Sequence, residues 1–356
     1  MVIANPAPFR ETYLPQDLLH RRAELEQLAR RVEPAARGRT ADDVLVTGEP
    51  GVGKTALSRH VLRRLDATAA DAAAVRVPCL GRTEADVLRR ICAGIDLEVD
   101  DRWTATDLRD LLREAPTPTI VLLDEADDVP ETGAIASLVE IPALSIVATA
   151  RDAADWLGRI DGARRRRFEG DGRLHLDPYD PSELADILQR RATRGLVRGS
   201  WTRGVLERIA DDVDGIARAG IRTLYAAATV AEENGRDAIR EVDVEAGLER
   251  ARRRIRRATL SSLSFHHLLL YSIVAAAGEI GAGELHDRYE SLQEEWYRDR
   301  ALEPVGRRSR RYQLATLRAS DLVACEGANR HRRYRVRDET IAPPIAVDRG
   351  GAPTPP

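Results

Sequence analysis

Apolar residues in the first half of the chain fall into short runs separated by stretches in which they recur every three or four positions. Val44–Thr47, Ala74–Val77, Ile120–Leu123 and Leu144–Thr149 are of the first kind, broken only by Arg76 in the second and Ser145 in the fourth. Runs this short and this rich in Val, Ile and Leu predict strands buried on both faces. Lys54–Leu65, with Ala56, Leu57, Val61 and Leu65 inward, and the segment holding Leu108–Leu112 carry helical spacing instead. Strands alternating with helices predict a parallel sheet covered by helices. Ahead of it, residues 1–15 (Pro6, Pro8, Pro15) read as an extended lead-in, and Leu18, Leu19, Leu25, Leu28 and Val32 line a helix running to Pro34.

Past Leu176 the strand pattern stops. Pro181–Arg191, Thr202–Ala210, Arg218–Glu232 and Glu241–Arg257 all read as helices, the first opened by a Pro-Ser pair. From about Ser261 the order changes again: helices over Phe265–Ala277, Gly283–Glu294 and Arg310–Ala319, then strands Leu322–Cys325 and Arg333–Val336 around a polar turn. Three helices and a hairpin are the order of a winged helix. The domains predicted are 1–175 (α/β), 176–257 (helical lid), 258–340 (α+β winged helix) and a disordered tail 341–356, which from Ala342 holds five prolines in fifteen residues.

Charge sharpens this division. The net charge is -3, yet residues 251–340 carry 18 arginines against 12 acids, while residues 1–250 hold 36 basic and 45 acidic side chains. An acidic module joined to a basic one points to nucleic acid as a partner of the second. Of 55 basic residues one is a lysine, Lys54, which marks a position where arginine does not serve. No run of eighteen apolar residues and no apolar segment near the N-terminus is present, so no membrane span or signal peptide is expected, and the expected location is cytoplasmic. Three cysteines without CxxC spacing argue against zinc sites and a disulfide scaffold.

Lys54 lies in Gly48-Glu49-Pro50-Gly51-Val52-Gly53-Lys54-Thr55, a P-loop that follows a strand and opens a helix. Gly48, Pro50, Gly51, Val52, Gly53 and Ala56 are expected to line the nucleotide, the glycines letting backbone N–H groups close around phosphate oxygens. Lys54 reaches the β/γ-phosphates and Thr55 offers a ligand to Mg²⁺. Seventy positions on, the apolar strand Ile120–Leu123 ends in Asp124 and Glu125. In this context Asp124 is expected to hold Mg²⁺ through water and Glu125 to orient or deprotonate the attacking water. ATP or ADP with Mg²⁺ are the expected cofactors.

These motifs and the helical lid resemble the AAA+ ATPases. Leu14-Pro15, His20-Arg21, Asp177-Pro178-Tyr179, Asp214-Gly215-Ile216-Ala217-Arg218, Ala231–Arg236, Gly283-Glu284-Leu285 and Glu326–Arg330 make the chain similar to one branch of them, the archaeal origin-recognition and replication-initiator proteins. The resemblance covers residues 9 to 338. It implies a P-loop AAA+ core with a helical lid, followed by a winged helix. It also implies that Arg218 is the lid arginine that senses the γ-phosphate, and that Arg165 or Arg167 is the finger that reaches a neighbouring subunit's nucleotide. Where the family places a polar sensor residue on the strand Leu144–Thr149, this chain has Ala150, with Thr149 the substitute if the register shifts by one. The family's acid before Ala217 is Ile216. Slow hydrolysis is expected from both changes.

In the third domain Arg307, Arg308, Arg310 and Arg311 open the expected recognition helix, and Arg330, Arg332, Arg333 and Arg335 stand on the expected wing, positions from which arginines can take DNA phosphates. Trp296, Tyr297 and Tyr312 are expected in core or turn packing. The expected function is ATP-switched recognition of duplex DNA at origin repeats in the nucleoid. The resemblance alone implies a replicative helicase and other initiator subunits as partners. A nucleotide-controlled regulator or plasmid-maintenance protein, or an ATPase whose winged helix docks a protein, would use the same parts.

Overall fold

Five short strands, most with no polar face, cannot stand alone, and they satisfy one another as a single parallel sheet. The computed structural model describes residues 1–66, 73–79, 82–100, 102–115, 118–129, 137–160, 162–298, 302–327 and 331–347. Strands β1 (Val44–Gly48), β2 (Ala73–Pro78), β3 (Thr119–Asp124), β4 (Leu144–Ala150) and β5 (Arg173–Leu176) pair in the order β2-β3-β4-β1-β5, all parallel. Every residue of β1, β3 and β4 is buried, as their apolar runs require. The period of two then sorts the side chains. Val75, Val77, Val121, Leu123, Ile146, Ala148 and Ala150 enter one layer with helices α3 (Glu84–Gly94) and α4 (Ala105–Arg113). Val44, Val46, Ile120, Leu122 and Val147 enter the other, under α1 (Arg22–Ala36) and α2 (Lys54–Asp66).

Two elements here are absent from the expectations above. Helix α3 has a readable signal, Val87, Leu88, Ile91 and Cys92 at helical spacing behind a reciprocal cap in which the Thr83 hydroxyl accepts from Asp86 N–H and the Asp86 carboxylate accepts from Thr83 N–H. Strand β5 is a four-residue edge strand in which Leu174 and Leu176 are buried and Arg173 and His175 exposed.

After α5 (Ala153–Leu157) and α6 (Gly162–Arg165) come α7 (Pro181–Gly195), α8 (Arg203–Asp212), α9 (Ala217–Glu233) and α10 (Glu241–Ser262). Leu184, Leu188, Leu206, Ile209 and Leu224 form their own core. The lead-in joins it: the Glu232 carboxylate accepts from the N–H groups of Val2 (2.6 Å) and Ile3 (3.0 Å). The chain divides into two compact units, Met1–Ala251 and Arg252–Pro356, and the division falls within α10, which continues past residue 257 to Ser262.

The second unit contains α11 (Phe265–Ala277), β6 (Glu279–Gly281), α12 (Ala282–Tyr297), α13 (Arg307–Ala319), β7 (Val323–Glu326) and β8 (Arg333–Val336), with the antiparallel order β6-β8-β7. Three residues, too few for a periodicity, make β6. The tail expected to be disordered from residue 341 is not so at its start: Ile341 and Ile345 are buried, and Ile345 N–H donates to Ser272 Oγ at 3.2 Å. Residues 348–356 lie outside the described residues. Tyr297 is buried as expected, but Tyr312 is 61% exposed, because on α13 the inward positions belong to Arg310, Gln313, Leu314 and Leu317.

Candidate nucleotide site and arginine surface

The loop between β1 and α2 owes its path to glycine. Gly48 has φ +141°, and a Cβ there would run into the carbonyl of Leu176 on β5. At Gly51, φ +96°, a Cβ would stand only 2.8 Å from the Ile216 side chain, and the Gly51 carbonyl accepts from Arg218 N–H at 3.1 Å. The first turn of α9 is thereby pinned to the loop. Lys54 folds back, donating from Nζ to the carbonyls of Gly48 (2.7 Å) and Glu49 (3.0 Å). Burial pushes it down to about 8, an effect that Asp127 and Glu125 oppose and that the Arg218 and Arg151 charges reinforce. A half-buried ammonium with guanidinium groups beside it is short of negative charge, and a polyphosphate would supply it.

By the period of two, Asp124 of β3 and Thr149 of β4 share the α2 side of the sheet, whereas Ala150 faces the opposite layer and is 1% exposed. The expectation that Ala150 holds the sensor position is corrected accordingly. Thr149 Oγ1 donates to Asp124 Oδ1 at 3.0 Å and accepts from Glu125 N–H at 2.9 Å. Thr55 Oγ1 donates to the same Oδ1 at 2.6 Å. Oδ2 accepts from Arg76 of β2, from Nη2 at 2.5 Å and Nε at 3.2 Å. Glu125 follows with φ +60°. Withdrawal from water and then the Asp124 charge hold its carboxyl above the ordinary carboxylate range, with Arg218 opposing, which suits a group that is to accept a proton.

A carboxylate offers about four lone-pair directions, and the chain's own donors take four at Asp124. Asp124 therefore does not fit the role of Mg²⁺ anchor, while the Thr55 hydroxyl keeps an oxygen that could face a cation. Besides Arg76, the sequence reading passed over Arg151 and Asp127, paired at 2.8 Å, whose charges act on both Lys54 and Glu125. The one trace of Arg76 in the sequence is a charge inside an otherwise apolar run; that it shares a face with Asp124 follows from the β2-β3 register alone.

Among the finger candidates, Arg165 is exposed and, among the described residues, its ion pair is the i,i+4 one with Glu169 at 3.2 Å. Arg167 is engaged within its own chain, which corrects its candidacy: Nε meets the buried Asp43 Oδ2 at 2.6 Å, and Nη1 donates to the Val139 carbonyl. Asp43 Oδ1 accepts from Ile146 N–H at 2.7 Å. Burial pushes Asp43 up to about 6 against the pull of the Ile146 N–H and Arg167. The folded state thus binds this proton more tightly than the unfolded one, so the stability linked to it is full below the unfolded value and is lost as pH rises through 6. Asp43→Asn cannot ionise. Thermal denaturation should show wild type losing about 1 kcal/mol relative to Asp43→Asn between pH 5 and pH 7; a difference constant across pH would contradict this account.

The arginines of the second unit separate into three kinds. Arg310 is 3% exposed: Nη1 donates to the His286 carbonyl (3.1 Å), Nη2 meets Glu290 (2.7 Å), and the guanidinium lies 4.6 Å from the centre of the Tyr289 ring. Its assignment to DNA contact is corrected, since its donors point into the fold. Arg307 is exposed and pairs with Asp287 (3.2 Å) and Glu290 (3.3 Å); Arg333 pairs with Glu279 and Arg335 with Glu326. Arg308, Arg311 and Arg332 are exposed, and no ion pair of theirs is found among the described residues. Arg330 lies outside those residues.

The AAA ATPase domain family matches residues 17–288. Among curated proteins the chain is similar to ORC1-type DNA replication protein 9 of Halobacterium salinarum, 30% identical over 344 residues that cover 95% of each. Among solved structures it is similar to the Aeropyrum pernix ORC1 protein in complex with DNA, with a TM-score of 0.76, 24% identity and 94% of both chains covered. The Aeropyrum pernix ORC2 protein in its ADPNP-ADP complexes gives 0.60 at 25% identity, covering 95% of this chain and 94% of that one. Among the described residues no helix is long and apolar enough to cross a membrane.

Proposed function

This chain belongs to the ORC1-type DNA replication proteins within the AAA ATPases, and from that membership we propose that it is a replication initiator that binds ATP or ADP at its P-loop and recognises duplex DNA at origin repeats. The observation that carries the nucleotide half is the convergence of Gly48–Thr55, Glu125 and Arg218 on the desolvated Lys54. The ADPNP-ADP complexes of the similar Aeropyrum pernix ORC2 protein support it. Arg218, with its backbone pinned to Gly51 and its charge felt at Lys54 and Glu125, acts as the γ-phosphate sensor.

Hydrolysis is slow in this reading. Glu125 is the base, but the Thr149 hydroxyl is committed to Asp124 and Glu125 N–H, and Ala150 has nothing to offer a water. The nucleotide then works as a switch. Arg165 is the finger toward a neighbouring subunit, since its exposed pair with Glu169 costs little to break.

DNA recognition belongs to residues 258–340, read as a winged helix from their order of helix, strand, two helices and hairpin. Helix α13 enters the major groove, and Arg308 and Arg311 at its first turns take phosphates. The surplus of arginine in this part of the chain favours DNA as the partner of this unit. Nucleoid association, and contacts with a replicative helicase or further initiator subunits, follow from the same role. Footprinting with ATP and with ADP tests the proposal. Protection of origin-like repeats in preference to promoter DNA is expected; equal or greater protection of promoters would make the protein a regulator, and binding to no duplex at low salt would leave the unit a protein-docking module.

A further inference from the structure

In the parallel pair β2-β3, Pro78 stands opposite Asp124 and Arg76 opposite Leu122. Side chains two residues apart on a strand share a face, so Arg76 and Asp124 are diagonal neighbours on the α2 side of the sheet. The result is a guanidinium with two nitrogens on one carboxylate oxygen, at 2.5 and 3.2 Å. The burial of the two is unequal: the Asp124 side chain is 6% exposed and that of Arg76 43%. The other oxygen is held by Thr55 and Thr149. For a cation-bound water to donate to Asp124, one of these four donors must leave. The guanidinium bonds are charge-assisted, and arginine keeps its charge at any working pH, so the bonds on Oδ2 are the hardest to displace. A second guanidinium lies nearby, since Arg59 of α2 is held below the ordinary range by burial and then by the Arg76 charge.

We infer that Arg76 is a built-in counter-ion of Asp124, one that shuts this carboxylate off from divalent cations, so that the chain holds nucleotide without recruiting Mg²⁺ through Asp124. Arg76 neutralises the negative charge that would otherwise face the phosphates, which is part of what a metal does at such a site. The inference rests on the nucleotide reading above.

The test is titration calorimetry of the full chain with ATP, in excess Mg²⁺ and again in EDTA. Wild-type affinity should differ between the two by less than about threefold, since no charge-assisted bond to Asp124 is gained with the metal. Arg76→Met frees the carboxylate, and Mg²⁺ should then strengthen ATP binding at least about tenfold, the worth of such a bond. Arg76→Gln, which can still donate to Oδ2 but carries no charge, should fall between them, and melting curves report whether each variant is folded. Dependence of about tenfold or more in wild type would overturn the inference and leave the P-loop reading standing. Folded variants as indifferent to Mg²⁺ as wild type would overturn Arg76 as the cause. Failure of wild type to bind ATP in either buffer would remove the nucleotide reading, and the inference with it.

Discussion

Lys54→Ala is expected to lower ATP affinity by about a hundredfold, the loss of a charge-assisted contact from a half-buried ammonium to the β/γ-phosphates. No other lysine exists in the chain, Arg151 is bound to Asp127, and Arg218 of α9 has its own expected role at the γ-phosphate. The variant should fold, because in the free protein the Lys54 ammonium gives up solvation and gains only the carbonyls of Gly48 and Glu49. Calorimetry decides the matter, with Glu125→Gln as the companion: it should bind ATP as wild type does and slow single-turnover hydrolysis. Unchanged ATP affinity in Lys54→Ala would remove the P-loop assignment.

Neutralising Arg308 and Arg311 together should flatten the slope of log affinity against log salt by about 2, since each phosphate contact contributes about 0.9 to it. Both are exposed at the start of α13, beside the exposed Tyr312. Arg310→Ala separates DNA contact from structure. It should cost roughly 2 kcal/mol of stability, through lost packing on Tyr289 and the orphaned His286 carbonyl, while the salt slope stays as it was. Salt titrations of duplex binding, with melting temperatures recorded alongside, read both effects. An unchanged slope in Arg308/Arg311 together with a flattened one in Arg310→Ala would reverse the assignment and imply that α13 is turned differently from the packing seen here.

Much of the architecture is legible along the chain because its causes are local. A buried strand needs an unbroken apolar run, a phosphate loop needs its glycines and lysine in consecutive positions, and a helix of a dozen residues shows its own period. β5 and β6, of four and three residues, have too few positions for a period and, unlike the equally short β7 and β8, no polar hairpin turn between them to mark them. Their existence depends on the neighbour whose backbone groups they satisfy.

The site divides along the same line. That Lys54, Thr55, Asp124 and Glu125 belong to one nucleotide site follows from motifs at fixed spacing, and the arginine surplus past residue 251 follows from counting. Which arginine faces out could not be counted. Arg310 and Arg311 are neighbours in sequence, but a helix turns about 100° per residue, so one lies under the surface against Glu290 and Tyr289 and the other stands in solvent. Thr149 rather than Ala150 reaches Asp124 because the pleat assigns them to opposite layers, and only packing shows which layer holds α2. Arg76 meets Asp124 across 48 residues of chain. Pairings of that range depend on strand order and register, set by the burial of all five strands at once, and short stretches of sequence do not encode them.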